Sequence, residues 1–203
     1  MTDRTALPLP PSTPRVHGRF TRWLGRTGLR LFGWKVAGEL PDQRKLLFII
    51  APHTSNWDFI WGLLAKWALD LRVEFLAKRS LFWGPLGWFL RRIGGIPVDR
   101  KAPAGMVESV ADRFGSAGKL WLVIAPEGTR SAVDRWKSGF WRIARQAQVP
   151  ILCAYFHYPE KTVGIGPLFM PGDDMGTDMQ RLREIYSQWQ GRHARATEPE
   201  AST

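Results

Sequence analysis

A single cysteine, Cys153, stands among the 203 residues, which excludes an intrachain disulfide and a cysteine-built zinc site. It lies in the apolar run 149–155, where the expectation is a small buried hydrophobe. Long hydrophobic runs are missing too. No stretch approaches the ~18 apolar residues that a bilayer-spanning helix needs. Residues 1–14, rich in Pro and polar side chains, have no apolar signal-peptide core. These absences predict a cytoplasmic protein that meets a membrane from one side, peripherally at the inner face. Acidic residues are the scarce charge: 18 Asp and Glu stand against 29 Lys and Arg, a formal net charge of +11. That surplus suits an anionic partner, whether nucleic acid, membrane headgroups or an acidic substrate. The 11 Trp residues favour the membrane surface, because an indole suits a place with one apolar and one wet edge. Nucleic-acid binders interleave aromatics with basic residues along a strand or groove. No such cluster stands out, so no nucleic-acid partner is expected.

The length is that of one domain able to bury a real core. Residues 1–14 read as a disordered leader and 191–203 as a polar, frayed tail. Between them, apolar runs alternate with helical patterns. Strands are predicted at 46–50, 73–77, 96–98, 120–124, 149–154 and 162–165, and helices at 56–70, 80–92, 103–116, 138–147 and 176–190. Such alternation predicts an α/β layered domain over 36–190, a largely parallel sheet flanked by helices, with a strand order that the pattern does not reveal.

The segment 15–35 predicts an amphipathic N-terminal helix. At about 100° per residue, Arg15, Arg19, Arg22, Arg26 and Arg30 fall in one sector roughly 80° wide. Val16, Phe20, Trp23, Leu24, Leu31 and Trp34 fill the neighbouring sector, with Leu29 and Phe32 outside it. No acidic residue interrupts them. Arginines reaching headgroups and aromatics dipping below them make a membrane-surface helix. Gly25, Gly28 and Gly33 lower its helix propensity. The alternative is an ordinary helix that packs its apolar face on the core. A second apolar stretch, 81–90, is bracketed by arginines and interrupted by Pro85. It reads as the wall of an acyl channel, a bilayer contact, or a plain buried helix.

His53 and Asp58 carry the first chemical signal. His53 follows the strand 46–50 and Pro52, and Thr54, Ser55 or Asn56 can cap the next helix. In a continuous helix the two side chains would point about 140° apart. Across a cap, Asp58 can curl back, fix the imidazole tautomer and leave the other ring nitrogen as proton acceptor. An ordinary imidazole, titrating near ~6.5, suits a base at neutral pH. His17, His157 and His193 have no such pattern. The second signal follows the strand 120–124: Glu127, Gly128, Thr129 and Arg130, with Arg100 and Lys137 as further cations in loops. Arg130 offers a planar fork for phosphate, Gly128 permits close backbone approach, and Thr129 adds a donor. No Gly-x-Ser-x-Gly elbow, Walker loop, His-Glu-x-x-His or Cys/His spacing is present. The nucleophile is then the substrate's own hydroxyl, no metal or cofactor is called for, and acyl transfer onto a phosphorylated alcohol fits both signals.

Four blocks in order resemble the glycerolipid acyltransferase superfamily, the PlsC-like group that includes 1-acyl-glycerol-3-phosphate acyltransferases. His53 to Asp58 matches its His-x4-Asp motif. The block 94–100 resembles the one ending in an Arg assigned to acceptor phosphate, 125–131 resembles its Phe-Pro-Glu-Gly-Thr-Arg block, and 149–151 its Val/Ile-Pro block. Pro52, Ala125 and Pro97 stand where the family commonly has Asn, Phe and an aromatic residue. The resemblance covers roughly 46–169 and implies an acyltransferase domain over 36–190. It implies transfer of a fatty acyl group from acyl-CoA or acyl carrier protein to a lysophospholipid hydroxyl at an anionic membrane surface. His53 and Asp58 would be catalytic, and Arg100, Glu127, Gly128, Thr129, Arg130 and Lys137 would bind substrate. An ester hydrolase on a similar site, or a membrane-binding module without catalysis, are the alternatives.

Overall fold

The run 45–50 is apolar at every position after Lys45, so it has no polar face for solvent and belongs in a sheet covered on both sides. The computed structural model describes residues 3–99, 103–128 and 136–193. Its strands are β1 (Lys35–Ala37), β2 (Lys45–Ile50), β3 (Val73–Lys78), β4 (Gly95–Val98), β5 (Leu120–Ile124), β6 (Ile151–His157) and β7 (Thr162–Phe169). They form one sheet in the order β1-β7-β6-β2-β5-β3-β4, with β2 at its centre. Pairing is parallel except between β6 and β7, so β7 and β1 run against the rest. The expected α/β layered fold is present, and β1 is a short strand that its composition did not announce.

The helices are α1 (Arg19–Leu31), α2 (Trp57–Ala68), α3 (Gly84–Arg92), α4 (Pro103–Ser116), α5 (Gly139–Ala147) and α6 (Met175–Tyr186). Because strand side chains alternate between faces, Leu47, Ile49, Leu122, Ile151 and Cys153 pack with α4, α5 and α6, while Leu46, Phe48, Trp121, Leu152 and Phe156 pack with α1 and α2. Fully burying each such side chain stabilises the fold by about 1.5–3 kcal/mol. Cys153 is buried as expected, and burial pushes its thiol up to about 12.

Residues 3–14 differ from the expected disordered leader. Val36 N–H donates to the Arg4 carbonyl (2.8 Å), Ser12 N–H to Asp42 (2.8 Å) and Arg72 N–H to the Pro14 carbonyl (2.8 Å). Leu7 and Leu9 pack on the core beside α1. Those partners lie far along the chain, where local composition does not register them.

The helix α1 lies on α2 with most of its expected apolar stripe turned outward; Trp34, expected in that stripe, lies beyond the end of the helix and is buried. Leu29 is buried, whereas Phe20 (69% exposed), Trp23 (60%) and Leu31 (77%) face away from the protein. Gly25 and Gly28 make this possible. A β-carbon at Gly25 would collide with the backbone of Leu64 and Ala68, and one at Gly28 would press on the Leu64 side chain. The arginine row is largely occupied: Arg15 and Arg22 pair with buried Asp70, and Arg26 and Arg30 with Asp3.

Candidate active site

The central strands β2 and β5 are neighbours, yet they lead to opposite faces, β2 into α2 and β5 into α5. Their carboxyl ends therefore diverge around a crevice, the place where open α/β sheets bind ligands. His53 follows β2 across a cis Ala51–Pro52 bond, and Glu127 follows β5. Clefts lined by Arg72, Glu74 and Arg113, or by Lys45 and Asp112, open at the amino ends of the strands and hold none of these groups.

Asp58 sits in the first turn of α2. Its carboxylate closes the turn: Ser55 N–H donates to Oδ2 (2.9 Å), and Trp57 N–H donates to Ser55 Oγ (3.2 Å). This reciprocal capping brings Oδ2 to 3.2 Å from His53 Nδ1, so the pair meets across the cap as the spacing required. The approach is a contact by distance rather than an aligned hydrogen bond. Such bonds commonly tighten only when substrate is bound. The Asp58 side chain is wholly buried, and that of His53 is 18% exposed.

Tyr158, in the turn after β6, was not anticipated. Its hydroxyl donates to Asp58 Oδ1 at 2.5 Å, a distance typical of a charge-assisted bond. Burial first, then the bond to Asp58 and its charge, push the phenol far above its ordinary value. No local signal marks it; its place follows from the strand order, because β6 adjoins β2 and its carboxyl end opens onto the same crevice.

Glu127 is buried, and its Oε2 accepts the backbone N–H of His53 at 3.0 Å. Glu127 thereby ties the loop after β5 to the loop that carries His53. Gly128 has φ +66, and a β-carbon there would lie 2.9 Å from Lys137 Cε. The exposed Lys137 therefore lies across Gly128, anchored by its N–H to the Pro126 carbonyl (2.9 Å). The structure so gathers His53, Asp58, Glu127, Gly128 and Lys137 on neighbouring loops. Arg100, Thr129 and Arg130 lie outside the described residues. Below the site, the buried Tyr186 hydroxyl lies 2.6 Å from the Ile49 carbonyl and 2.9 Å from that of Ala154, sharing its proton between the ends of β2 and β6. On the flank, Lys66 donates to the carbonyls of Val73 and Ile93, and burial lowers its amine to about 8.

The family model described as Acyltransferase matches residues 35–157, more than half of the chain. A 1-acyl-sn-glycerol-3-phosphate acyltransferase of Streptococcus pneumoniae is 27% identical over 128 residues, 63% of this chain and 47% of that protein. The enzyme of the same name from Bacillus subtilis is 31% identical over 115 residues, 55% of this chain and 56% of its own. The chain thus spans about half the length of these relatives. The crystal structure of the 1-acyl-sn-glycerophosphate acyltransferase PlsC from Thermotoga maritima superposes with a TM-score of 0.55 at 17% identity, covering 85% of this chain and 81% of that one, a likeness of fold.

Proposed function

The chain belongs to the acyltransferase family, in its PlsC-like superfamily, and from that premise we propose that it transfers a fatty acyl group from a thioester to the hydroxyl of a lysophospholipid. The acceptor is 1-acyl-glycerol-3-phosphate, and the donor is acyl-CoA or acyl carrier protein. The observation that carries this reading is the His53–Asp58 pair at 3.2 Å, held at the crevice between β2 and β5.

The imidazole of His53 removes the acceptor hydroxyl proton as that oxygen attacks the thioester carbonyl. A C–O bond forms, the C–S bond breaks, and the departing thiolate takes the proton back from the imidazolium. Asp58 orients the ring and stabilises its charge. Ser55 N–H is committed to Asp58 and His53 N–H to Glu127. That leaves the Thr54 and Asn56 amides to receive the developing oxyanion. Arg100, Thr129, Arg130 and Lys137 hold the acceptor's phosphate, with Gly128 giving the backbone room and Glu127 bracing the base loop. Positioning the two substrates supplies much of the rate.

The surface that meets the acceptor is an anionic membrane, at the inner face of the cell membrane. No helix among the described residues is long and apolar enough to cross a bilayer. On α1, Phe20, Trp23 and Leu31 are exposed, and Trp83, Leu86 and Trp88 at α3 are exposed on the same side of the sheet. Aromatics at the interface with Arg19, Arg79 and Arg92 exposed beside them suit anionic headgroups. The test is mass spectrometry of products formed by the purified protein from mixed lysolipids and both donors. Acylated 1-acyl-glycerol-3-phosphate is expected, with His53→Ala lowering turnover about 10²–10⁴-fold. Free fatty acid as the sole product would mean a hydrolase, and near-normal turnover by His53→Ala would remove the mechanism.

A further inference from the structure

An aspartate carboxylate turns easily about its last torsion, whose energy profile is broad and nearly two-fold. One donor on one oxygen does not fix its plane. In Asp58 the Ser55 N–H occupies Oδ2, the oxygen that also faces His53, and the Tyr158 hydroxyl occupies Oδ1. Tyr158 is itself held from three directions. Its ring meets Trp34 edge-on, with centroids 5.0 Å apart at 90°. Its N–H donates to the Gln190 carbonyl (3.0 Å), and its carbonyl accepts from Lys161 N–H (3.1 Å). Trp34 is buried and stacks on Trp61 of α2, the helix that carries Asp58 (4.8 Å, 20°). The phenol is thus a fixed point against which the carboxylate is set.

We propose that Tyr158 is a positioning residue of the transfer reaction, its hydroxyl fixing the Asp58 carboxylate so that Oδ2 is presented to the His53 imidazole. The inference rests on the reading of His53 as base and Asp58 as its orienter. Tyr158 lies one residue beyond the segment matched by the family model. It acts in two ways. It locks the plane of the carboxylate, and by donating to it, it draws off negative charge that would otherwise hold an imidazolium more strongly. The raised phenol keeps its proton as a donor throughout the range in which an imidazole works. The other groups facing this pair are Ser55, in the turn before α2, Trp61 on α2, and Glu127 through the His53 amide.

The test compares the full-length protein with Tyr158→Phe, which keeps the ring on Trp34 and removes only the oxygen. Turnover of 1-acyl-glycerol-3-phosphate and a thioester is followed from acid to alkaline pH. We expect kcat to fall about tenfold with the acceptor KM unchanged, and the acid limb of kcat/KM to move up by about half a pH unit or more. A ring-fluorinated tyrosine incorporated at position 158, a stronger donor, should move the same limb down. It carries the test alone if Tyr158→Phe does not fold. Opposite shifts from the two replacements are not produced by a purely structural side chain. Loss of kcat with unmoved limbs, or wild-type kinetics in both, overturns the proposal. Near-normal turnover in His53→Ala is a separate outcome, and it removes the base reading itself.

Discussion

Two helices of this protein, α1 and α5, are both strongly amphipathic, and they are turned in opposite senses. The helix α5 is the ordinary case: Phe140, Trp141, Ile143 and Ala144 are buried against the sheet, and Arg145 points out to Asp173. In α1 the arginines face the protein's edge, where Asp70 and Asp3 receive them, and the aromatics face away. Amphipathicity says that a helix has two faces. Which face meets the core depends on what the core offers, and here α2 offers a surface close enough for glycine alone. The outward aromatic face of α1 then remains available for a second apolar medium.

The comparison is most severely tested by truncating one aromatic on each helix. Phe140→Ala should cost about 3–5 kcal/mol of stability, read by denaturant unfolding, while Trp23→Ala should stay within about 0.5 kcal/mol. An equal loss at both positions would mean that the α1 stripe is core after all. A smaller effect separates the two glycines. An alanine in a helix gains about 1 kcal/mol of propensity over glycine, and overpacking costs about 1–3 kcal/mol. At Gly25 the obstacle is backbone, which cannot rotate away, so Gly25→Ala should lower the unfolding midpoint. At Gly28 the obstacle is the flexible end of Leu64, so Gly28→Ala should be close to neutral. Trp23→Ala should also weaken binding to anionic vesicles about tenfold, the equivalent of partly burying one large apolar side chain. Undiminished vesicle binding by Trp23→Ala together with Phe20→Ala would place the membrane contact elsewhere.

The smallest expected effect concerns the docking of residues 3–14 beside α1. The Thr5 hydroxyl first, and Arg30 second, hold the Asp3 carboxyl down at about 2. A carboxyl lowered on folding contributes stability that is present above its ordinary value near ~3.9 and is lost as pH falls through about 2. Amide exchange at Val36, which donates to Arg4, should therefore quicken between those limits, and Asp3→Asn should flatten the dependence.

Much of the site could be read along the chain because its chemistry is local. His53 and Asp58 are five residues apart around one helix cap, and the loop carrying Glu127 and Gly128 directly follows an apolar strand. Tyr158 could not be read that way. It lies 100 positions from Asp58, and nothing in its neighbours marks it. The bond from the His53 amide to Glu127 was hidden for the same reason, because the two lie 74 positions apart. Residues 3–14 look like leader by composition, yet three long-range backbone contacts and two leucines dock them.

What the sequence determined by itself was period and order: apolar strands alternating with helices, a cap that turns Asp58 back on His53, and a charge surplus alongside many aromatics. These follow from spacing along the chain, since strand, helix and cap geometry are set within a few residues. Only the tertiary structure decided the strand order that puts β2 beside β5 and β6, the outward turn of α1, and the phenol that grips Asp58. Those are properties of surfaces meeting across long stretches of chain, where packing fit and buried hydrogen bonds select one arrangement among many that the same local pattern permits.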